Sequence, residues 1–517
     1  MTHTSPAKTP RPSLRRGLNR KGAIGVAFAI GVTAVLGMGA LATEAGVWLY
    51  QRRSAQDAAD TAAYAGMVRF AMTTDANARN AAAVAAATQV ARINGFQNVG
   101  GPLAAPGDTR VRVQVGFVQT SGTAGAPVGD FQATVPANSS PNAVRVEVEQ
   151  VQRSGFAQLI SNTPPTAWGG AVAIMDITGP ACMLSIPPPG TRRQDNINGQ
   201  TNIGGSTSVT ARNCIIASNY PGEKSINIFG NPGDAVTVGG LRASGNCYNC
   251  ANANALGGYV SSAPPTQNPY VNLDNRTLNP MPGRSLPFTT GTISCQTVGG
   301  REIITLPRNT SANPARVSVV ELSGGSDPCK SGGGNSRTLE VGTGQTLRLQ
   351  PGTYYFHNTS LQMSASSAII ECQGCVRGGP GVTLVFTGSN ANSVGGIDIT
   401  GGTFTLIAPG PGQGAPPALD GIVIYRDNLG AVANQPEIKI RGNTGSRTGN
   451  TLFGGVYVPT GGVEVEGTMS VNVTADPNCT SIVAGEITFT GNSTANIDAC
   501  ETNGTAVVRT RYVRLVR

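Results

Sequence analysis

Charged residues are scarce in this chain. Asp, Glu, Lys and Arg together make up 13% of its 517 residues, about half the share of an average soluble domain. Aromatic residues make up 5%, and there are two histidines. A composition this poor in charge argues against a helical soluble enzyme. With His357 as the one histidine outside the N-terminal arm, it also argues against Ser-His-Asp catalysis.

Motifs that bind cofactors or nucleic acid are absent from the sequence as well. There is no Walker loop, no G-x-G-x-x-G pattern and no basic patch interleaved with aromatic residues. Seven acidic residues could serve a glycosidase-like site, but the alternation around Asp398, Glu464 and Glu466 places such side chains on solvated strand faces. We therefore predict no catalytic residue, no metal, no cofactor and no nucleic-acid partner. The seven acids are Asp398, Asp420, Asp427, Glu437, Glu464, Glu466 and Glu486.

Glycine and proline are plentiful, with 69 and 34 residues respectively. Period-2 patterns such as "TRVRVQVGFVQ" and "NAVRVEVEQVQ" predict strands, and short apolar alternations broken by Gly, Asn and Ser turns fill the rest of the chain. Together they predict a mainly β protein with many short strands. The T-G-G, S-G and G-N corners favour a β-solenoid, like a right-handed β-helix, over a β-sandwich.

The positive charge is concentrated at the N-terminus. Six of the basic residues precede residue 22, which leaves +3 of the net charge of +9 for the remainder. The following 22 residues, 22–43, carry no charge and as a helix would reach about 33 Å, enough to cross a bilayer. The positive-inside rule puts the N-terminus in the cytoplasm and the bulk of the chain outside a bacterial inner membrane. A cleaved signal peptide is the alternative.

The helix predicted over 22–72 carries the candidate membrane-interface and helix-packing residues. Trp48 and Tyr50 suit an outer interfacial belt, and Arg53 and Asp60 lie opposite a stripe of alanines that starts at Ala55. Glu44 has two interpretations. It either pairs with a basic group of a neighbouring helix or reaches water at the outer interface. The alanine stripe packs either within the chain or between subunits, and we favour the first.

The sequence divides into five predicted segments. They are a basic cytoplasmic arm (1–21), a transmembrane helix (22–50), an alanine-rich helical stalk (51–96), a small α+β domain (97–178) and a β-solenoid-like domain (179–517) with an irregular insertion at about 261–345. The stretch 261–345 is rich in proline and lacks the alternation of its surroundings. We interpret it as a long insertion or cover.

All ten cysteines lie beyond the predicted membrane span. An even number in an oxidising compartment favours disulfides over zinc. Two pairs have C-x-x-C spacing, and we further predict that Cys182 pairs with Cys214 and Cys479 with Cys500. The disulfide candidates are Cys182, Cys214, Cys247, Cys250, Cys372, Cys375, Cys479 and Cys500.

The segment "NRKGAIGVAFAIGVTAVLGMGALATEAGVWLYQRRSAQDAADTAAYAG" resembles the N-terminal region of TadE/TadG-like proteins of the bacterial Flp (Tad) pilus-assembly system. Phrases such as "FGGVYVPTGGVEVEG" near the C-terminus resemble TadG-like chains that lack the D-x-S-x-S metal motif. The residues in the matching N-terminal roles are Arg20, Gly22, Glu44, Tyr50, Arg53, Gln56, Ala58, Asp60 and Ala62.

This resemblance implies a membrane-anchored component of pilus assembly, without catalysis. Its partners would be the lipid bilayer and other pilus-assembly or pilin subunits. An envelope-anchored adhesin or glycan-binding protein is the alternative, with a glycan as its partner. A polysaccharide lyase or hydrolase on a β-helix is the third hypothesis.

Overall fold

A computed structural model gives the fold. It describes residues 20–73, 75, 77–97, 101–120, 128–137, 139–153, 155, 165–186, 200–230, 235–275, 292–307, 317–322, 328–329, 337–414, 416–429, 437–442, 450–468, 470–471, 479–497 and 504–516. The chain forms two compact units. The first comprises residues up to 119, 130–174 and the last four residues, and the second comprises 120–129 and 175–513.

Two helices belong to the first unit. Helix α1 spans Arg20–Met72 and helix α2 spans Arg79–Ile93. Both are rich in alanine, the strongest helix former, and neither contains proline. The single long helix predicted over 22–72 agrees with the bounds of α1 to within two residues.

The first unit also contains an antiparallel sheet. Strand β1 pairs with both β2 and β3, and β3 pairs with β4. One face of the sheet is a grid of small and branched apolar residues, in which Val146 lies between Val113 and Ala171. The strands are β1 (Thr109–Val118), β2 (Phe131–Gln132), β3 (Ala143–Val151) and β4 (Thr166–Ser185).

The second unit contains the end of β4 and almost all of the remaining strands. These are β5 (Thr201–Gly205), β6 (Ser208–Ser218), β7 (Ile226–Gly230), β8 (Val236–Ala243), β9 (Cys247–Tyr248), β10 (Asn254–Ala255), β11 (Tyr259–Val260), β12 (Ser294–Val298), β13 (Arg301–Thr305), β14 (Val317–Val320), β15 (Thr338–Val341), β16 (Gln345–Leu349), β17 (Gly352–His357), β18 (Ser360–Met363), β19 (Ile369–Cys372), β20 (Val382–Thr387), β21 (Ile397–Ile399), β22 (Thr403–Ile407), β23 (Ile422–Arg426), β24 (Ile438–Gly442), β25 (Thr451–Gly467), β26 (Ser470–Val471), β27 (Thr480–Phe489), β28 (Thr494–Asn496) and β29 (Val508–Val516).

Parallel pairing in the second unit follows a repeat of three strands. From β13 to β22, each strand pairs with the third strand after it. Each strand adds one apolar side chain to the same row, because the parallel register aligns these positions from strand to strand. One such row in the core consists of Val341, Met363, Ile399, Ile440, Val465, Phe489, Ile203 and Ile228.

The order of the strands in space differs from their order in the chain. Strand β27 pairs on one side with β25 and on the other with β4 and β5. The first strands of this unit therefore stack on its last ones. The series of paired strands, called the ladder below, ends with β8 to β11 on one side and with β12 to β15 on the other. The connection between β11 and β12 has to travel back along the stack.

Residues 263–275 lie along that return path. The Asn219 side chain, which follows β6, exchanges two hydrogen bonds of 2.7 Å with the backbone of Thr266. Further on, the Tyr270 ring lies 5.3 Å from Tyr457 of β25, and the Tyr425 hydroxyl of β23 donates to the Leu273 carbonyl at 3.0 Å. The segment buries a second row of apolar residues that faces away from the core, including Tyr355, Val385, Tyr425, Tyr457 and Val483.

The mainly β class and the single long apolar helix near the N-terminus are confirmed, and a large sheet is present. The stretch 261–345, which we interpreted as an irregular insertion, contains strands β12, β13, β14 and β15, all of which pair in the ladder. The domain boundaries proposed from sequence stay a prediction.

Candidate functional site: the two halves of helix α1

The first half of α1 exposes apolar side chains on every side of the helix. Val26, Phe28, Ile30, Leu36 and Leu49 expose between 62% and 71% of their surface. The helix is long and apolar enough to cross a membrane. An α-helix satisfies its own backbone hydrogen bonds, which a segment in lipid requires. This half is therefore a candidate membrane span.

The second half of α1 is buried on one side. Its buried residues lie at helical spacing against α2 and the sheet, and Ala55, Ala59 and Ala62 are fully buried. The small alanine side chains let the backbone of α1 approach the sheet closely, and Gly169 of β4 lies at such a point of close approach. A Cβ atom at Gly169 would lie 2.4 Å from the carbonyl of Ala55. The helix backbone thus rests directly on the strand.

Gln56 fixes this contact with polar bonds. Its Nε2 donates to the Gly170 carbonyl at 2.9 Å, and its Oε1 accepts from the Gly170 amide at 3.3 Å. Nε2 also donates to Asp60 Oδ1 at 2.8 Å. Asp60 therefore orients the amide that joins α1 to β4. Sequence analysis placed Asp60 among the candidate helix-packing residues and named Gln56 only as part of the R-x-x-x-Q pattern of the resemblance, without a contact.

The other singled-out residues of α1 lie along its first half and its middle. Glu44 is half-buried, and its Oε1 accepts a hydrogen bond of 2.9 Å from the backbone amide of Gly155. Trp48 is half-buried, whereas Tyr50 is 73% exposed and Arg53 is exposed. The structure thus gives Glu44 a backbone partner that neither of the two sequence interpretations included.

Gly66 marks where α1, α2 and β3 meet. A Cβ atom there would lie 3.0 Å from Ala87 Cβ of α2 and 3.1 Å from Val144 Cγ1 of β3. Ala83, Ala87 and Ala91 form the matching buried stripe on α2. Small residues on both helices therefore set their separation.

Disulfides join most of the candidate cysteines. Cys182 is bonded to Cys214, Cys247 to Cys250, and Cys372 to Cys375, and a fourth bond joins Cys295 to Cys329. Cys479 is disulfide-bonded, and Cys500 lies outside the described residues. The Cys182–Cys214 bond joins β4 to β6, which are paired neighbours in the ladder.

Three of the seven acids are not on solvated strand faces, contrary to our interpretation. Asp420 lies in the turn before β23, where it accepts from the Gly412 amide at 2.7 Å and the Gly414 amide at 2.6 Å. Asp427 is fully buried, where it accepts hydrogen bonds from Thr387 Oγ1 at 2.8 Å and from the Leu429 amide at 2.9 Å. The Glu437 side chain is 10% exposed and accepts from the Gly462 amide at 2.7 Å. Asp427 thus satisfies a strand-end hydroxyl and a loop amide, and Glu437 satisfies an amide within β25. Alternation within their own strands does not reveal these requirements.

Asp398 and Glu464 lie on one outward-facing row of the ladder. Arg441 Nη2 contacts both carboxylate oxygens of Asp398 at 2.9 Å, and this hydrogen bond raises the pKa of Arg441. Burial raises the pKa of Glu464, and the neighbouring Glu466 raises it further, while Arg441 and Lys439 lower it. Asp398 and Glu464 are thus half-buried charges of this row, and Arg441 pairs with Asp398.

Within the described residues, no group of three His, Cys, Asp or Glu side chains is placed to hold a metal ion. The most distinctive arrangement in the described residues is the division of helix α1 into two halves. One helix has a first half that exposes apolar side chains and a second half that packs on a sheet.

No protein-family model matches the chain, and no curated protein matches it. Among solved structures, the competence-associated pilin ComZ from Thermus thermophilus is similar to 74% of this chain over 86% of its own length, at 12% sequence identity. The TM-score is 0.24, which is too low to establish a shared fold. The class that the structure defines is a mainly β protein with one candidate membrane-spanning helix.

Proposed function

We propose that this protein is a membrane-anchored, extracytoplasmic component of a bacterial Tad/Flp pilus-assembly system, with a structural or assembly role that does not depend on catalysis. The observation that carries the proposal is the division of α1. Its first half exposes apolar side chains on all sides, and its second half is buried against α2 and the sheet. Such a helix anchors a folded unit at a membrane surface.

The orientation follows from charge. The six basic residues before residue 22 favour a cytoplasmic N-terminus, so the two folded units lie outside the inner membrane. The four described disulfides, together with the bonded Cys479, suit that compartment.

The assignment to the Tad/Flp system rests on the resemblance of residues 19–66 to TadE/TadG-like proteins. The structure gives physical roles to two of the matching residues. Gln56 joins α1 to β4, and Asp60 holds the Gln56 amide. These roles explain why the pattern continues past the apolar span into the helix that packs on the sheet.

We further propose that the second unit is a β-solenoid. Its parallel pairing at intervals of three strands supports this, as does the unbroken alignment of core rows from β15 to β7. Successive coils of a solenoid bury their side chains against neighbouring coils, so like residues align in rows.

Deletion of the gene tests the assembly role. We expect cells without the protein to lose their pili, and the wild-type gene to restore them. A Gln56→Ala variant removes both bonds to Gly170 and should restore pili less well than a Gln51→Ala variant on the same helix. Intact pili in the deletion strain would contradict the proposal.

Protease shaving of spheroplasts tests the orientation separately. We expect the protease to reach the second unit from outside and to leave the N-terminal arm intact. A second unit that stays protected until the membrane is broken would contradict the proposed topology.

Glycan binding is the second candidate function, and the outward-facing polar row favours it. Amide, hydroxyl, ammonium and carboxylate side chains follow one another along the row, with the exposed Tyr248 at one end. Its members from Glu340 to Thr488 are half-buried, whereas Asn202 and Asn227 are buried. If the purified protein binds a polysaccharide while deletion leaves pili intact, this function replaces the first. The row consists of Glu340, Gln362, Asp398, Lys439, Glu464, Thr488, Asn202, Asn227 and Tyr248.

A further inference from the structure

Three polar side chains meet where three neighbouring strands of the ladder end. His357 is the last residue of β17, Glu321 directly follows β14, and Ser389 lies two residues beyond β20. Strands β14, β17 and β20 pair in parallel, so their C-terminal ends lie side by side. Residues far apart in sequence are therefore close together in space.

The distances place the histidine between the other two residues. His357 Nδ1 lies 3.1 Å from Glu321 Oε1, and His357 Nε2 lies 3.4 Å from Ser389 Oγ. The imidazole is 4% exposed, whereas Ser389 is exposed to solvent. A serine, a histidine and a carboxylate in this order are the parts of an activated nucleophile, and their spacing is often loose without substrate.

Asn358 holds this arrangement in place. Its Oδ1 accepts the Ser389 backbone amide at 2.9 Å, which fixes the orientation of the side-chain amide. Its Nδ2 then donates to Glu321 Oε1 at 2.9 Å and to Ser389 Oγ at 3.1 Å. Asn358 has a positive φ of 51°, a backbone conformation that asparagine tolerates better than most residues.

Asn358 Nδ2 also lies 3.1 Å from His357 Nδ1, and the roles of the ring nitrogens depend on the tautomer. A base role for His357 requires the tautomer with the proton on Nδ1, for which the Glu321 carboxylate is the acceptor. In that tautomer the lone pair of Nε2 faces the hydroxyl of Ser389. This is the orientation in which a histidine removes a proton from a serine.

We propose that Ser389 and His357 form a nucleophile–base pair that cleaves acyl esters, with Glu321 as the positioning residue. The Oγ proton passes to His357 Nε2 as Oγ forms a bond to the acyl carbon. The proton then passes to the leaving alcohol as the ester C–O bond breaks. Water, deprotonated by the same nitrogen, cleaves the acyl-serine and releases a carboxylic acid, which restores the Oγ–H.

The substrate is an ester of a small carboxylic acid. Because Ser389 is exposed and its base is buried beneath it, an acyl group presented from solvent reaches Oγ directly. The Asn358 Nδ2 hydrogen that contacts Oγ in the resting protein is the donor that turns to the oxyanion when Oγ reacts, and an ester needs less such stabilisation than an amide. The activity is independent of the pilus-related role, and its absence would leave that role unaffected.

Serine labelling tests the proposal on the full chain in detergent. A fluorophosphonate probe forms an Oγ–P bond with an activated serine and releases fluoride, and peptide mass spectrometry locates the adduct. We expect the adduct on Ser389, together with turnover of p-nitrophenyl acetate. His357→Gln should slow the labelling by about 10²- to 10⁴-fold, and Ser389→Ala should abolish it.

Ser364 provides the matched control. It is exposed, and its Oγ donates to Glu340 Oε1 at 2.8 Å, so it has a carboxylate neighbour but no histidine contact among its described bonds. In the wild-type protein, Ser364 should remain unlabelled, and Ser364→Ala should not change the rate. A folded wild-type protein that labels neither serine, or both at one rate, would overturn the proposal without any reliance on a variant.

Discussion

Gly169 shows how one residue sets the position of α1. Because a Cβ atom at this position would meet backbone atoms of Ala55 and Gln56, the neighbours cannot yield by rotating a side chain. Gly169→Ala should therefore destabilise the first unit by about 1–3 kcal/mol, the usual cost of overpacking. Urea denaturation followed by tryptophan fluorescence measures this, since Trp48 and Trp168 both belong to that unit.

Gly46→Ala is the matched control for Gly169→Ala. A Cβ atom at Gly46 has nothing within 4 Å, and Gly46 lies in helix α1, on which Gly169 of β4 packs. We expect the urea midpoint of the Gly46→Ala variant to equal that of the wild type or to lie slightly above it. Equal destabilisation by both substitutions would show that the close approach at Gly169 does not limit packing.

The raised pKa of Glu464 predicts that the stability of the protein depends on pH. Its pKa is higher in the folded protein than the usual 4.5. Its contribution to folding is therefore complete below pH 4.5 and is lost as the pH rises through the folded value. Glu464→Gln should raise the thermal midpoint of the protein at pH 7 and leave it unchanged at pH 4.

Lys439→Met should change the thermal midpoint at pH 7 in the direction opposite to Glu464→Gln. Lys439 lowers the pKa of Glu464, so its removal should lower the thermal midpoint at pH 7. Circular dichroism follows both variants. If the effect of Glu464→Gln is the same at pH 4 and pH 7, ionisation of this residue is not its source.

At the scale of the element, α1 could be predicted almost completely. The uncharged run and the alanine stripe are local patterns, and they identified both the helix and its buried side. The contact between Gln56 and Gly170 could not be predicted in this way, because it depends on where β4 lies after folding. The same is true of Asp427 and Glu437, whose partners lie on other strands or in a loop and are not revealed by alternation.

A charge in the first half of α1 tests whether that half lies in lipid. Leu36 is 66% exposed, and Leu36→Arg should disfavour insertion by about 2.5–3.5 kcal/mol. We expect less of this variant in the alkali-resistant membrane fraction. Tyr64→Arg, on the exposed side of the second half, should stay in the membrane as the wild type does.

Equal membrane retention of the two arginine variants would contradict a span at residues 22–50. The anchor would then lie elsewhere.

At the scale of the whole molecule, the strand repeat could be predicted and its spatial order could not. Short alternations with Gly and Asn turns indicated many small strands. Nothing local in the sequence of β4 or β27 shows that Met183 will pair with Ile482. The proline-rich stretch that follows β11 lacks a pattern for the same reason, because part of it returns along the stack and does not extend it.

Spin-label distances test the proposed solenoid. Gln362 and Thr488 are four strands apart in one row, and Gln362 and Tyr248 are seven strands apart. At about 4.8 Å per strand, we expect about 19 Å and about 34 Å between the backbone positions. Labels on introduced cysteines, measured by double electron–electron resonance, should show this increase.

A separation that fails to grow from the first pair to the second would contradict a continuous stack. The row would then belong to a sheet that curls back on itself.

The pairing of β27 with β4 and β5 has a consequence for synthesis. During translation the early strands emerge long before the strands that will cover them. Until the C-terminal region arrives, β4 and β5 present bare backbone donors and acceptors to their surroundings. A second nascent chain offers the same complementary edge, so exchange of C-terminal regions between two molecules is the characteristic misassembly of this architecture, and slow or interrupted export would promote it.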